Sequence, residues 1–281
     1  MIPMHIADPS GVARQAWPMS WGVPFSEGQL KSDRNLRVLD AKGKELPSYA
    51  DARATWPDGS VKWALVDFQT DIGPMERRHF EIDFGQRVKR KPPAESVRVT
   101  RRDGEIEIDT GAIRATLGTG GNRLFRQVVR GGRDHFVSGD AGDFTATDGD
   151  GKVFRSRIAC AYVEEENPLR VVVKAQGGFF ERDGTQLMSW VVRVTAFAGK
   201  PFLRVHHTFI HDQSATFVHL KELRMSLFLT ETGPKRAFFG ARVGTSAPGT
   251  SARRRNVSRW SSRGRTFISS PAGRGSGRST G

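Results

Sequence analysis

The sequence predicts an all-β protein, with a small N-terminal barrel followed by a large β-sandwich. Short apolar runs that alternate with polar residues recur along the chain, and glycine, aspartate and proline bound them. The sequence has no window with the long i, i+3, i+4, i+7 apolar pattern of an amphipathic helix. The length of 281 residues, of which 37% are hydrophobic, suits one or two domains with cores of their own.

The first predicted domain spans residues 1–88 and contains several short strands at hairpin spacing. Residues 36–39 form one apolar strand, and residues 61–68 form another that begins soon after the turn Pro57-Asp58-Gly59. At such a turn proline presets φ, aspartate bonds to the local backbone, and glycine accepts a left-handed conformation. Short strands joined by tight turns are typical of a small barrel.

The second predicted domain spans residues 96–232 and has longer strands. It follows residues 88–95, where a basic run precedes two consecutive prolines, a pattern that indicates a stiff, solvated connector. The apolar runs at residues 190–197 and 202–210 have the length of strands in a β-sandwich. Because the strand pattern stops near residue 229, we expect this sandwich to be truncated.

The last segment, residues 233–281, differs sharply in composition from the rest of the chain. Eleven of the fourteen excess positive charges lie between Lys235 and Gly281, a stretch without acidic residues. This composition predicts a disordered basic tail. Three interpretations are open: an arm that binds nucleic acid, a plain flexible tail, or the product of a shifted reading frame. The abrupt loss of lysine after Ala241 favours the shifted frame and argues against nucleic acid as a partner.

Composition also bears on the class and compartment of the protein. The single cysteine, Cys160, cannot form an intrachain disulfide, and its apolar neighbours predict an inert core position. The sequence has no run of 18 apolar residues, which argues against a membrane partner. Residues 1–18 lack the apolar segment of a signal peptide, so we expect a cytoplasmic protein, or a periplasmic or secreted one if the start has been trimmed. We expect no cofactor, and the oligomeric state stays open.

Two groups of motifs together resemble a known family. Residues 54–64 contain the string Trp56-Pro57-Asp58-Gly59-Ser60-Val61-Lys62-Trp63, and with residues 22–25 and 36–40 they resemble the N-terminal RIFT barrel of the exo-rhamnogalacturonan lyase-like family. A second group is similar to the central β-sandwich domain of that family and comprises residues 163–164, 168–171, 193, 198–200 and 202–209.

The resemblance implies an activity as well as a fold. Members continue into a C-terminal α/α toroid and cleave pectic backbones of alternating rhamnose and galacturonate by β-elimination from a chain end. That reaction needs a cation for the uronate carboxylate, a base for the C5 proton and an acid for the leaving oxygen. The resemblance thus implies a carbohydrate-active protein with a polysaccharide or oligosaccharide substrate, and we expect this chain to be an inactive fragment without the toroid. A non-catalytic glycan-binding or structural β-protein, and a protein that binds nucleic acid through its tail, are the alternatives.

The candidate catalytic group consists of three histidines and an arginine. On a strand, Arg204 and His206 share one face, where they could clamp a carboxylate and accept a proton, whereas His207 lies on the apolar face. Arg204 and His206 could instead be polar residues of a solvated face, and His207 could be a hydrogen-bonded histidine of the core. A zinc site from His207 and His211 is disfavoured, because their spacing serves metal binding on a helix and this segment is predicted as strand.

Trp56 and Trp63 are the candidate substrate-binding residues, because their rings could stack on sugars. A tryptophan at each end of a hairpin is, however, more often part of a cross-strand core pair. The run of carboxylates at residues 164–166 could suggest calcium. Since adjacent strand residues point apart, we expect these side chains to be solvated and expect no metal site.

Overall fold

Regular structure in this protein consists almost entirely of strands. The computed structural model describes residues 1–8, 11–136, 144–213, 218–227, 230 and 266–269. Within these ranges the helical structure is limited to the 3₁₀ turn Asp33–Asn35. The strands in chain order are β1 (Ile2–Ala7), β2 (Arg14–Pro24), β3 (Leu36–Asp40), β4 (Ser48–Thr55), β5 (Val61–Ile72), β6 (Arg77–Phe84), β7 (Arg98–Arg102), β8 (Glu105–Asp109), β9 (Arg114–Gly118), β10 (Phe125–Arg130), β11 (Arg133–Asp134), β12 (Phe144–Asp148), β13 (Val153–Glu166), β14 (Arg170–Phe180), β15 (Gln186–Phe197), β16 (Leu203–Ile210), β17 (Leu220–Leu227) and β18 (Thr266–Ser269).

Strands β1 to β6 form the predicted small barrel. They pair as two antiparallel three-stranded sheets, with the strand orders β1-β6-β3 and β2-β5-β4. Alternate side chains of both sheets fill one core, where the rings of Phe68 and Phe80 meet edge-to-face with centroids 5.6 Å apart. Buried aliphatic side chains from β3 and β6 complete this core, including Leu36, Val38 and Ile82.

The β4–β5 hairpin contains the tight turn predicted at residues 57–59, and the prediction is confirmed. Gly59 has a φ of 81°, a conformation that strains residues with a side chain. The carboxylate of Asp58 accepts hydrogen bonds from the hydroxyl and the backbone N–H of Ser60, at 2.5 and 2.9 Å. These bonds stabilise the charged form and hold the pKa of Asp58 below its ordinary value.

The segment between the domains packs against the barrel, so the prediction of a solvated connector is wrong for Arg90. Arg90 is half-buried and donates hydrogen bonds to the carbonyls of Asp33 and Leu36, at 2.9 and 3.0 Å. Its guanidinium carbon lies 5.2 Å from the centroid of the Tyr49 ring. Burial lowers the pKa of Arg90 from its ordinary value. A long side chain in a basic run can thus anchor a connector through its donors and its ring contact.

The later strands form the predicted β-sandwich. One antiparallel sheet has the order β11-β10-β9-β8-β7, and the other has the order β16-β15-β14-β13-β12-β17-β18. Inward side chains of both sheets make one core, with Ile108 and Leu117 from the first sheet and Phe179 and Trp190 from the second. The indole N–H of Trp190 donates to the carbonyl of Gly178 at 3.0 Å, so this buried donor is satisfied.

The side of the seven-stranded sheet that points away from the core is called the outer face below. On β14 the outer face carries residues 170, 172 and 174, because residues 171, 173 and 175 point into the core. On β13 the alternation is shifted by bulges between residues 158 and 160 and between residues 163 and 165. Cys160, which was predicted to lie in the core, is only half-buried and lies at the first bulge.

The predicted fold class, an all-β chain with a barrel followed by a sandwich, is confirmed. Most of the predicted tail, residues 233–265 and 270–281, lies outside the described residues, so its disorder and the shifted frame stay predictions. Within the tail, β18 pairs with β17 and extends the larger sheet. In the part of the chain that the structure describes, no helix has the length and apolar character needed to span a bilayer.

Candidate functional site

A buried carboxylate joins the barrel to the sandwich. Asp67 points out of the barrel from β5, between the core residues Val66 and Phe68, and its side chain is only 5% exposed. Its carboxylate accepts hydrogen bonds from three donors that belong to both domains: the hydroxyl of Ser20 on β2 at 2.5 Å, the amide of Asn167 at 2.8 Å and Nε of Arg170 at 3.0 Å. These bonds fix the β13–β14 turn against the outer surface of the barrel.

Ion pairs continue from Asp67 to the protein surface. Arg170 also pairs with Glu165 at 2.5 Å, and Glu165 pairs with Arg53 of β4 at 3.1 Å. Arg53 in turn lies 3.1 Å from the carboxylate of Asp51. The exposed fraction of the side chain rises along this path, from 13% at Arg170 to 46% at Asp51. The buried end therefore holds the domains together, while the exposed end lies in solvent where the barrel meets the sandwich.

Four polar side chains form a row across the outer face of the sandwich. Tyr162, Lys174, Arg193 and His206 lie on β13, β14, β15 and β16, and each is directly opposite the next. Because neighbouring strands lie about 4.8 Å apart, the row is about 14 Å long. Lys174 follows Arg170 by four residues on β14, so the row is within about 13 Å of the domain junction.

Glu164 sets the electrostatics of this row. Its carboxylate accepts two hydrogen bonds from the guanidinium of Arg193, at 2.5 and 2.8 Å, and lies 3.7 Å from Nζ of Lys174. The hydrogen bonds from Arg193 lower the pKa of Glu164 and raise the pKa of Arg193. Lys174 also lies 5.8 Å from the centroid of the exposed Tyr162 ring. Two cations thus share one carboxylate beside an aromatic ring, which leaves an excess of positive charge.

The sheet divides the predicted catalytic group between its two sides. Arg204 and His206 are exposed on the outer face, as predicted, whereas the half-buried His207 points into the sandwich. The guanidinium carbon of Arg204 lies 5.2 Å from the centroid of the Phe197 ring. His211 is exposed beyond the end of β16. His206 therefore joins the row next to Arg193, and the catalytic roles of these residues stay predictions.

His207 is surrounded by aromatic rings of the core. Its ring centroid lies 4.7 Å from that of Phe144, 6.1 Å from that of Phe179 and 6.4 Å from that of Trp190. Burial lowers the pKa of His207, because desolvation disfavours the charged imidazole. The expected hydrogen bond is missing at Nε2, which has no partner among the described residues. The same part of the chain contains no group of three or more His, Cys, Asp or Glu side chains that could hold a metal ion.

The two candidate tryptophans lie in different environments. Trp56 donates its indole N–H to the carbonyl of Phe25 at 2.9 Å, and Nζ of Lys62 lies 4.4 Å from its ring centroid. Trp63 is 44% exposed and covers Gly22, where a Cβ atom would approach the indole to 2.6 Å. The alternative of a core position is therefore wrong for Trp63, which presents its ring to solvent on the barrel.

Sequence reasoning missed how the carboxylates at residues 164–166 are used. They were expected to be solvated, but each pairs with arginine: Glu164 with Arg193, Glu165 with Arg53 and Arg170, and Glu166 with Arg101. Lys174 and Tyr162 were missed as well. Lys174 itself could have indicated a polar outer face, because a lysine within an apolar strand has to point away from the core.

Both domains match domains of one known family. Residues 10–79 match the PcRGLX-like N-terminal RIFT barrel domain, and residues 97–232 match the PcRGLX-like protein central beta sandwich domain. The fold and these matches define the chain as a RIFT barrel followed by a central β-sandwich of one protein family. The chain belongs to the PcRGLX-like family, in agreement with the resemblance seen in its sequence.

Individual relatives extend this comparison. The chain is 26% identical over 233 residues to the uncharacterized protein YetA of Bacillus subtilis (strain 168), across 78% of this chain and 26% of YetA. It therefore spans about a quarter of the length of that relative. It is also similar to the crystal structure of a protein in glycosyl hydrolase family 38 from Enterococcus faecalis, with a TM-score of 0.52 and 14% identity over 84% of this chain and 34% of the other. At that identity the likeness concerns the fold alone.

Proposed function

We propose that this chain supplies the uronate-binding β-domains of a polysaccharide lyase of the rhamnogalacturonan type. The observation that carries the proposal is the row of Tyr162, Lys174, Arg193 and His206 on the outer face beside the domain junction. A uronate unit carries a carboxylate, which suits the two cations, and an apolar ring face, which suits the exposed Tyr162 ring. A row of about 14 Å fits an extended oligosaccharide better than a single ion.

The proposed roles follow from the chemistry of elimination. Arg193 and Lys174 neutralise the uronate carboxylate and so stabilise the negative charge that develops when the C5 proton leaves. His206, directly opposite Arg193, accepts that proton. All three side chains project from one sheet face, whereas productive geometry requires groups placed around the sugar ring within about 0.5 Å. We therefore propose that elimination also needs groups from outside the described residues.

A second candidate function is non-catalytic glycan binding. Trp63 favours it, because its exposed indole covers Gly22 and offers a flat ring at the barrel surface. Stacking on such a ring binds a sugar without any acid or base. The two candidates differ in whether the protein that contains these domains cleaves the saccharide that they bind.

Binding is tested by calorimetric titration of this chain with an oligosaccharide of alternating rhamnose and galacturonate. Changing Arg193→Ala should weaken binding about tenfold, since a bidentate charged contact is lost. Arg98→Ala, at an exposed arginine on β7 of the other sheet, is the matched control and should leave the affinity unchanged. Equal affinities of the two variants would refute the proposed site.

Catalysis is tested by following the absorbance of the unsaturated product. We expect no detectable elimination by the 281-residue chain, and we expect elimination by a longer protein that contains these domains. His206→Ala in that longer protein should lower kcat while binding persists. Turnover by the 281-residue chain itself would overturn the proposal that further groups are needed.

A further inference from the structure

A pocket of about 650 Å³ lies at the N-terminal half of β13, away from the row described above, and extends from the outer side of the strand to residues 121 and 122 after β9. Its lining includes three arginines, Arg155, Arg157 and Arg182, together with Phe180 and Glu181. Arg155 and Arg157 point outward, because they alternate with buried residues at 154, 156 and 158. The volume lies within the range of about 300–1,000 Å³ that is usual for small-molecule sites.

Phe180 and Arg157, which both line this pocket, are layered over Gly178. A Cβ atom at Gly178 would lie 2.8 Å from the Phe180 ring, so the ring occupies space that only glycine leaves open. Arg157 lies opposite Gly178, and its guanidinium carbon is 4.7 Å from the centroid of the Phe180 ring. Such stacking orients the guanidinium and leaves the N–H donors along its edge available to a ligand.

The charge of the pocket is positive. Glu181, the carboxylate in its lining, pairs with Lys152, and this pair raises the pKa of Lys152. Arg157 and Arg182 therefore add positive charge to a lining whose carboxylate already has a cationic partner. Arginine binds carboxylates in a planar, bidentate geometry, which lysine cannot reproduce.

We propose that this pocket binds a carboxylated sugar unit and forms a second anionic subsite on the outer face. Arg157 and Arg182 bind the carboxylate, and the wall formed by Phe180 contacts the sugar ring. The proposal rests on the proposed function for the identity of the sugar, a uronate. Arg157 and Tyr162 are five residues apart on β13, so the two subsites lie about 15 Å from each other along the strand. One extended oligosaccharide can therefore contact both subsites, whereas a short one occupies each separately.

The test is an NMR titration of the ¹⁵N-labelled 281-residue chain with digalacturonate. The amide signal of Gly178 reports on the pocket, and the amide signal of Arg193 reports on the row. We expect digalacturonate to shift both signals, and its dimethyl ester to shift neither. Arg157→Ala should weaken the binding seen at Gly178 about tenfold and leave the binding seen at Arg193 unchanged. Arg98→Ala should change neither.

The outcomes separate this proposal from the proposed function. A shift at Arg193 without a shift at Gly178 overturns the pocket as a binding site and leaves the row. A shift at Gly178 without a shift at Arg193 overturns the row and leaves the pocket. An equal shift at Gly178 by the neutral ester, or equally tight binding of inorganic phosphate there, overturns a carboxylated sugar as the ligand. Arg157→Lys keeps the charge but loses the planar pair of N–H donors, so it should weaken binding at Gly178. An affinity at Gly178 equal to that of the unaltered chain overturns the role given to the stacked guanidinium.

Discussion

Replacing Asp67 with alanine tests whether one buried carboxylate holds the two domains together. The substitution removes the acceptor for Ser20, Asn167 and Arg170 at once. Arg170 is the decisive partner, because its side chain is only 13% exposed and its positive charge would then be held by Glu165 alone. The hydroxyl of Ser20 and the amide of Asn167 are neutral and can bind water in the opened space.

The magnitude follows from the burial of this ion pair. Removing one partner of a buried pair costs about 3–5 kcal/mol, since it leaves an uncompensated charge. Because Glu165 still pairs with Arg170 at 2.5 Å, we expect the lower end of that range, about 3 kcal/mol of unfolding free energy. For a chain of this size, such a loss lowers the melting temperature by roughly 6–12 °C.

Urea unfolding followed by tryptophan fluorescence measures this loss, with Asp51→Ala as the matched control. Asp51 also pairs with an arginine, Arg53, but its side chain is 46% exposed, and the pair is screened by solvent. We expect the control to change the unfolding free energy by less than about 0.5 kcal/mol. Asp67→Asn, which keeps the size and one acceptor, should fall between the two. Equally small effects of Asp67→Ala and Asp51→Ala would refute the claim that the Asp67 network fixes the domains.

Two further predictions concern groups whose pKa values are shifted. His207→Leu should stabilise the fold by about 1 kcal/mol at pH 7.5, because the unpartnered Nε2 leaves the core. The pKa of folded His207 lies below the ordinary 6.5, so the unaltered protein should lose stability as pH falls below 6.5. The leucine variant should lose less stability over the same range. Urea unfolding at pH 7.5 and 5.5 measures both losses, and equal losses in the two proteins would contradict the prediction. Glu164→Gln should strengthen digalacturonate binding at the row about threefold in a calorimetric titration, because Arg193 and Lys174 lose their competing carboxylate. Because the pKa of Glu164 is lowered in the folded protein, its ion pair stabilises the fold above pH 4.5, and this stabilisation is lost as pH falls through the folded pKa. The unfolding free energies of the unaltered protein and of Glu164→Gln should therefore differ near neutral pH and become equal at low pH.

The parts of the fold that could be predicted from the sequence are those that local chemistry decides. Alternating runs predicted strands, and the turn at residues 57–59 was predicted because proline, aspartate and glycine each favour one position of it. The two domains followed from strand length and from the prolines between them. The half-buried position of Arg90 could not be predicted, since its partners are the carbonyls of Asp33 and Leu36, more than fifty residues away.

The row across the outer face depends on pairings that the sequence does not reveal. Residues 162, 174, 193 and 206 become neighbours only because four strands pair in one particular register. The face on which each strand residue lies could be predicted by alternation for β14 to β16, and the exposed positions of Arg204 and His206 were predicted in this way. On β13 the same reasoning fails, because each of its two bulges adds one residue and changes which side chains point outward. The second bulge lies between residues 163 and 165.

That bulge also connects the domain junction with the proposed binding row. In a regular strand, Glu164 and Glu165 would point to opposite faces, and one of them would be forced into the core. The bulge between residues 163 and 165 lets Glu164 pair with Arg193 in the row while Glu165 pairs with Arg170 at the junction. Adjacent residues of one strand therefore hold both clusters, so the bulge places the domain junction and the row side by side on the outer face.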